Sequence, residues 1–557
     1  MRLRTCSVSR KTVVIQARTV LGILMYLSTF RFLRSGRTRL TPVVRDTEQV
    51  LRIMPRTLAV AAIAFACALP AAIAPVAGIA EDLPNLGGAE REELSPLMER
   101  KLGEQIMREI RRDRDYLDDA PTLEYLNNFG AILLVARPDV RGEADYDFFF
   151  FAVRDPMLNA FALPGGFIAV HSALVLAAQS ESELASVMAH EIGHVAQRHL
   201  ARMLGKQRQD ALIPLAGAIA AILAARSSPD ASSALLLGGE GMAMQRQLNF
   251  SRDAEREADR VGLQILQQAG FDTSGMISFF GRLQSATRSY TDATPAFLKS
   301  HPLTTERIAD IQARTRDQHY KQRVDSLDFH LIRARLRVMQ DETSQGLHEA
   351  AAVFNNQLLQ KSPLQTAAAK YGLAFIALKQ GAYAKAQSLL QEAHSAAQNT
   401  PGGMQTSTYG AILANLSIDI RIASNQGAEA VKEADAARAQ FPISRGIARQ
   451  YANALLAAGR YPDATRYLRD QAQLYRQEPQ LQELLAKAYA AQGKQALQHL
   501  ALAESYSLSG VLPAALDQLT IARRAPDASF YDQALIDARE RDIKARWREE
   551  QKEQKIK

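Results

Sequence analysis

SESELASVMAHEIGHVAQRHLAR, residues 180–202, is the stretch on which the fold of this chain turns. Ser180 followed by Glu183 has the form of a capping box and predicts a helix from about residue 181. Counting about 100° per residue from Leu184, the residues Val187, Met188 and Val195 define an apolar stripe centred near 0°. His190 then falls at about 240°, His194 at about 280° and Glu191 at about 340°. The two imidazoles of His190-Glu191-Ile192-Gly193-His194 therefore share one face, a turn apart, as two ligands of one Zn²⁺ must. Glu191 lies inside the apolar stripe, where a carboxylate is costly without a polar partner. A metal-held water is a natural one.

Zinc needs a third protein ligand. His199 projects at about 60° on the same wheel, away from the pair. Gln197 and Leu200 stand where a metzincin would carry Gly and His. The better candidate lies in Ser251-Arg252-Asp253-Ala254-Glu255-Arg256-Glu257-Ala258-Asp259. Glu255 and Asp259 are four apart on one helical face, with Gly262 almost a turn further on. Glu255 can reach the metal, and Asp259 can accept the distal N–H of a zinc-bound histidine. Glu257 points to the far side and reads as a surface residue.

Outward from this centre, residues 81–322 mix helix and strand. Residues 146–153 (YDFFFFAV) read as a strand, and Ala160–Leu163 and Phe167–Val170 read as two more around the turn Pro164-Gly165-Gly166. From about residue 327 the strand signals give way to Ala/Leu/Gln-rich helix. Tyr371-Gly372-Leu373-Ala374 with Gly381, Tyr383 and Ala386 returns as Tyr451-Ala452-Asn453-Ala454 with Gly459, Tyr461 and Ala464. Small residues, Gly and an aromatic on a period of about 34 residues predict tetratricopeptide-like helical pairs over 323–538, because antiparallel helices approach closely only where Ala and Gly face each other. Residues 539–557 read as a charged, solvated tail. The fold class expected is α+β: a mainly helical metalloprotease-type domain with a small sheet, then an all-α repeat domain.

The composition, 47% apolar and 23% charged over 557 residues, excludes a mostly disordered chain. Lys+Arg 67 against Asp+Glu 59 gives +8, yet residues 1–80 hold twelve of the basic residues and only Asp46 and Glu48. The remaining 55 basic and 57 acidic residues are balanced, so no nucleic-acid partner is expected. From Met54, Arg56 and the apolar run Leu58–Leu69 lead to Gly78-Ile79-Ala80, the form of a signal peptide over 54–80 cleaved after Ala80. Pro70 and Pro75 argue against a spanning helix, and residues 1–53 read as upstream sequence ahead of the true start. Both cysteines, Cys6 and Cys67, lie in this leader, so the exported chain would hold no thiol. Ala211–Ala225 is apolar but short for a bilayer span, and Ser227–Gln245 reads as a connection.

HEIGH, then SRDAEREADRVG, then Ser300-His301-Pro302 with Arg307-Ile308 together resemble the gluzincin metalloproteases that include the heat-shock membrane protease HtpX and the CAAX prenyl proteases. Asn159-Ala160-Phe161-Ala162 before Gly165-Gly166, His171-Ser172-Ala173-Leu174 and a repeat-bearing second half look most like the β-barrel assembly-enhancing proteases of the periplasm. The resemblance implies one zinc per chain held by His190, His194 and Glu255, with Glu191 as general base and acid. It implies that the edge strand Asn159, Ala160, Phe161, Ala162 and Leu163 pairs with the substrate backbone. For His301 it implies stabilisation of the transition-state oxyanion, a fourth zinc position at rest, or both in turn. Its partners would be unfolded or stalled outer-membrane proteins and, through the repeats, the β-barrel assembly machinery, with peripheral contact to the outer membrane as an option. A non-catalytic periplasmic chaperone or adaptor with structural zinc is the alternative.

Overall fold

The computed structural model describes residues 94–142, 146–205, 252–289, 296–316, 323–400 and 408–555. The leader, Ala211–Ala225 and Ser227–Gln245 lie outside the described residues. Helices α1 (Pro96–Ile110) and α2 (Ala120–Ala136) precede three strands, β1 (Phe149–Val153), β2 (Ala160–Leu163) and β3 (Phe167–His171). The strand expected over 146–153 begins only at Phe149, where pairing with β3 starts. The sheet order is β1-β3-β2, with β1 parallel and β2 antiparallel to β3. Gly165 and Gly166 take φ of 75° and 89° in the tight turn between β2 and β3, which a side chain would resist.

The strands alternate, and both faces are covered. Phe150, Ile168 and Val170 join the core under α2, where Gly130 leaves room for the Phe150 ring. Phe151, Leu163 and Phe167 pack against Leu102, Ile106 and Met107 of α1. After the short α3 (Ser172–Ala177), α4 (Glu181–Ala196) carries the motif. Ser180 caps it by accepting from Glu183 N–H, while the Glu183 carboxylate reaches back to Gln179 N–H, one residue beyond the usual partner. Every residue of α4 from Glu181 to Val195 is buried, those of the His190 and His194 face included. Neighbouring elements cover all sides.

α5 (His199–Gly205), α6 (Arg252–Gln268), α7 (Ser274–Ser289), α8 (Ala296–Ser300) and α9 (Thr305–Thr315) complete this half. α4 and α6 touch backbone to backbone. A Cβ on Gly193 would lie 2.8 Å from Ala258 O, and one on Gly262 would lie 3.1 Å from His190 N. Those two glycines let the helices close on each other.

The second half is helical: α10 (Leu327–Gln340), α11 (Ser344–Leu358), α12 (Pro363–Lys379), α13 (Tyr383–Gln398), α14 (Thr408–Ala423), α15 (Gly427–Gln440), α16 (Arg445–Ala457), α17 (Tyr461–Leu474), α18 (Pro479–Ala491), α19 (Gln495–Leu508), α20 (Leu512–Arg524) and α21 (Phe530–Lys555). Gly381, Gly459 and Gly493 end helices with φ of 72°, 71° and 70°. Gly427, 32 residues before Gly459, does not share the role. Asn425 takes the left-handed position at φ 59°, and Gly427 instead admits Ala458. The two halves share one core that runs from Leu117 to Ile420. Across it, buried Arg335 on α10 grips Asp119, the N-cap of α2, at 2.7 and 2.8 Å and donates to Tyr371 Oη at 3.1 Å. The charged tail expected from residue 539 is the continuation of α21, whose Ile536 and Ile543 are buried against Leu512 and Leu519. Among the described residues no helix is long and apolar enough to cross a membrane.

Candidate metal centre

Four side chains from three elements converge. His190 and His194 come from α4, Glu255 from the first turn of α6, and His301 from the residue after α8. One ligand atom from each lies within 4.8 Å of all the others. His190 Nε2 is 3.0 Å from His194 Nε2 and 3.5 Å from Glu255 Oε2. His301 Nδ1 is 3.0 Å from Glu255 Oε1 and 3.5 Å from His190 Nε2. The four are 0–2% exposed. Phe297 stacks on the His301 ring, and Phe297 N–H donates to Leu158 O at 3.2 Å, which ties the His301 segment to the approach to β2.

Asp259, one turn after Glu255, stands 3.0 Å from His190 Nδ1, on the outward side of that ring. Arg307 on α9 grips Asp259 with two bonds of 2.7 and 2.8 Å and places Nη1 2.7 Å from Glu255 Oε2. Glu191 is fully buried, and neither carboxylate oxygen makes a hydrogen bond of good geometry. Its polar neighbours are the backbone N–H of Ala162 on β2 and His301 Nε2 at 3.6 Å.

The charges suit a cation. Glu191, Glu255 and Asp259 are three carboxylates, against which Arg307 is the one permanent positive charge among them, and all four are at most 2% exposed. The cluster is short of positive charge, which a divalent ion supplies, and two imidazoles with a carboxylate are donors that such an ion takes. Burial opposes ionisation of Glu255, yet His301, His190 and His194 hold it well below the usual carboxylate range. Burial pushes His194 well down, leaving it neutral. Burial likewise disfavours a charged His190, but Asp259 and Glu255 outweigh it and raise His190 to about 9. Burial raises Glu191 above the ordinary carboxylate value, against the pull of His301 and His190.

The strand beside the centre, β2, is an edge of the sheet among the described residues. His171 N–H donates to Asn159 O at 3.0 Å, so Phe161 and Leu163 also exchange bonds with β3. Ala160 and Ala162 consequently turn their N–H and C=O groups away from β3, the N–H of Ala162 towards Glu191. Asn159 is buried, and its Oδ1 makes no hydrogen bond.

Two residues differ from the sequence expectation. His199, expected to point away, sits with Nδ1 2.9 Å from His194 Nδ1, because α4 ends at Ala196 and Arg198 turns the chain at φ 51°. Glu257, expected at the surface, is partly exposed but bonds His199 Nε2 and Arg202 Nη2, each at 2.9 Å. The part Arg307 plays carried no local signal: a lone arginine on an amphipathic helix ordinarily faces solvent.

A family model described as peptidase family M48 matches residues 134–315. The beta-barrel assembly-enhancing protease of Escherichia coli (strain K12) is 32% identical over 468 residues, spanning 84% of this chain and 92% of that protein. The protein of the same name from Yersinia pestis is 32% identical over 457 residues, 82% of this chain and 90% of the relative. The mitochondrial metalloendopeptidase OMA1 of Schizosaccharomyces pombe is 33% identical over 175 residues, 31% of this chain and 48% of that protein.

Proposed function

The chain belongs to the beta-barrel assembly-enhancing proteases, with a peptidase family M48 metalloprotease domain, and on that premise we propose that it is a zinc endopeptidase of the periplasm that cleaves unfolded or stalled outer-membrane proteins. The observation that carries this is the convergence of His190, His194, Glu255 and His301 within 4.8 Å, in a buried cluster rich in carboxylate. His190, His194 and Glu255 would hold one zinc. When bound, zinc acidifies its water and polarises the scissile carbonyl.

The chain's own residues supply the rest. Glu191 takes the water's proton on a carboxylate oxygen and delivers it to the leaving amide nitrogen. Its burial, which raises its proton affinity, suits both halves of that transfer. The N–H and C=O groups that Ala160 and Ala162 turn away from β3 pair with an extended substrate, so selection follows backbone shape more than side-chain identity. Asn159 closes the start of that strand. His301 fills the fourth ligand position at rest and leaves it when its segment moves, then steadies the oxyanion. The helical pairs of the second half offer a protein-binding surface for the β-barrel assembly machinery and its clients.

Zinc content by atomic absorption and casein hydrolysis, compared for wild type and Glu191→Gln, test the reading. One zinc in both with hydrolysis in wild type alone is expected. Equal hydrolysis removes the role of Glu191, and zinc without hydrolysis in either leaves the adaptor, which the fully buried ligand set favours. His301→Arg should hydrolyse casein faster than wild type; an equal or lower rate ends the resting-ligand role.

A further inference from the structure

The third imidazole beside the centre has no part in the ligand set, yet two short contacts at its ring nitrogens set its proton arrangement. His199 is buried, 4% exposed, and its ring meets that of His194 edge to face at 4.9 Å. One of the two Nδ1 atoms, 2.9 Å apart, must donate and the other accept. The far nitrogen of each ring decides which. His199 Nε2 lies 2.9 Å from Glu257 Oε2. Arg202 Nη2 donates to the same oxygen at 2.9 Å, so this carboxylate oxygen accepts from both and His199 Nε2 carries a proton. On the other ring, His194 turns Nε2 into the cluster, 3.0 Å from His190 Nε2, so as a ligand through that atom it keeps its proton on Nδ1, and His199 Nδ1 is the acceptor. His194 Nδ1 must then be the donor, and its Nε2 lone pair faces the cluster.

We propose that His199 is a positioning residue for the metal centre: its Nδ1 accepts the Nδ1 proton of His194 and fixes both the tautomer and the ring angle that His194 needs as a ligand. The inference rests on the metalloprotease reading above. Each histidine of the pair is thus held from behind by a different device. His190 leans on the charged Asp259, itself clamped by Arg307. His194 leans on a neutral imidazole, itself anchored by Glu257 and Arg202. The chain break makes this possible. Arg198 takes φ 51° and donates Nε–H to Glu99 on α1 at 2.8 Å, so the next residue folds back over His194 instead of continuing the helix.

The test is zinc affinity, read by competition with a chromophoric chelator on the full-length protein. His199→Leu should bind zinc about 10–100-fold more weakly than wild type. His199→Asn, whose amide oxygen stands about where Nδ1 was, should recover most of that loss, which a purely steric role would not allow. The absorption bands of bound Co²⁺ should shift in the Leu variant and return towards wild type in the Asn variant. Glu257→Ala, at a partly exposed position, should fold in any case and weaken zinc in the same direction by less. A Leu variant within about threefold of wild type, Leu and Asn variants equally weak, or no loss in Glu257→Ala each overturns the proposal. Failure of wild type itself to bind one zinc overturns the metalloprotease reading, and with it this inference, and is distinguishable because it needs no variant.

Discussion

Arg307→Met tests whether the centre is held by the charge balance described above. Arg307 spans Asp259, at 2.7 and 2.8 Å, and Glu255, at 2.7 Å, and all three side chains are 1–2% exposed. Methionine keeps much of the arginine's bulk over the Phe280 ring, so the loss is mainly one of charge. Two buried carboxylates then lack their shared cation, and breaking a buried pair costs about 3–5 kcal/mol. A bound divalent ion relieves part of that repulsion, so the loss should be smaller in zinc than in EDTA. Arg314→Met is the control: its partner is Asp310, the two side chains are 46% and 37% exposed, and such a pair contributes about 0–0.5 kcal/mol. Urea unfolding followed by far-ultraviolet circular dichroism, with zinc and with EDTA, gives the four differences. A loss below about 1 kcal/mol for Arg307→Met in EDTA, or a larger loss in zinc, would refute the reasoning.

Asp119→Asn removes the carboxylate that joins the two halves. Burial opposes its ionisation, but Arg335 and Thr122 hold it below 3.8, so its contribution is complete above about pH 4 and fades as pH falls through the lower folded value. The stability gap between wild type and variant, about 3–5 kcal/mol at pH 6, should therefore narrow below about pH 4; a gap independent of pH between 6 and 3 contradicts this. Gly262→Val places branched atoms where a Cβ already lies 3.1 Å from His190 N, and should lower stability by about 1–3 kcal/mol and weaken zinc binding. Unchanged zinc affinity in chelator competition would show that the crossing of α4 and α6 does not set the ligands. Removing residues 530–557 uncovers Leu512 and Leu519, and the truncated protein should bind an apolar dye and associate in sedimentation; a monomer with unchanged dye binding would count against α21 as a structural cap.

Much of the centre was legible from local spacing. Residues four apart on a helix share a face wherever the helix lies, which is why His190 with His194 and Glu255 with Asp259 could be paired from sequence. The turn between β2 and β3 and the start of α4 were equally local, since Gly and a Ser/Glu cap act through their own backbone. His301 could be named only through family resemblance, because nothing local links it to a residue more than a hundred positions earlier.

What the sequence by itself determined, then, is each element and the face on which its chemistry sits. The tertiary structure alone decided which faces meet. The wheel failed for His199 because it assumes an unbroken helix, and the break depends on Arg198 meeting Glu99 from another helix. Arg307 became the clamp of the centre because α9 packs across α6, and Asp119 with Arg335 merged two expected domains into one core. The charged residues after 539 became a packed helix because Ile536 and Ile543 found a neighbour to bury them. Periodicity is a property of a few consecutive residues, whereas burial and charge pairing are set by partners far away in the chain.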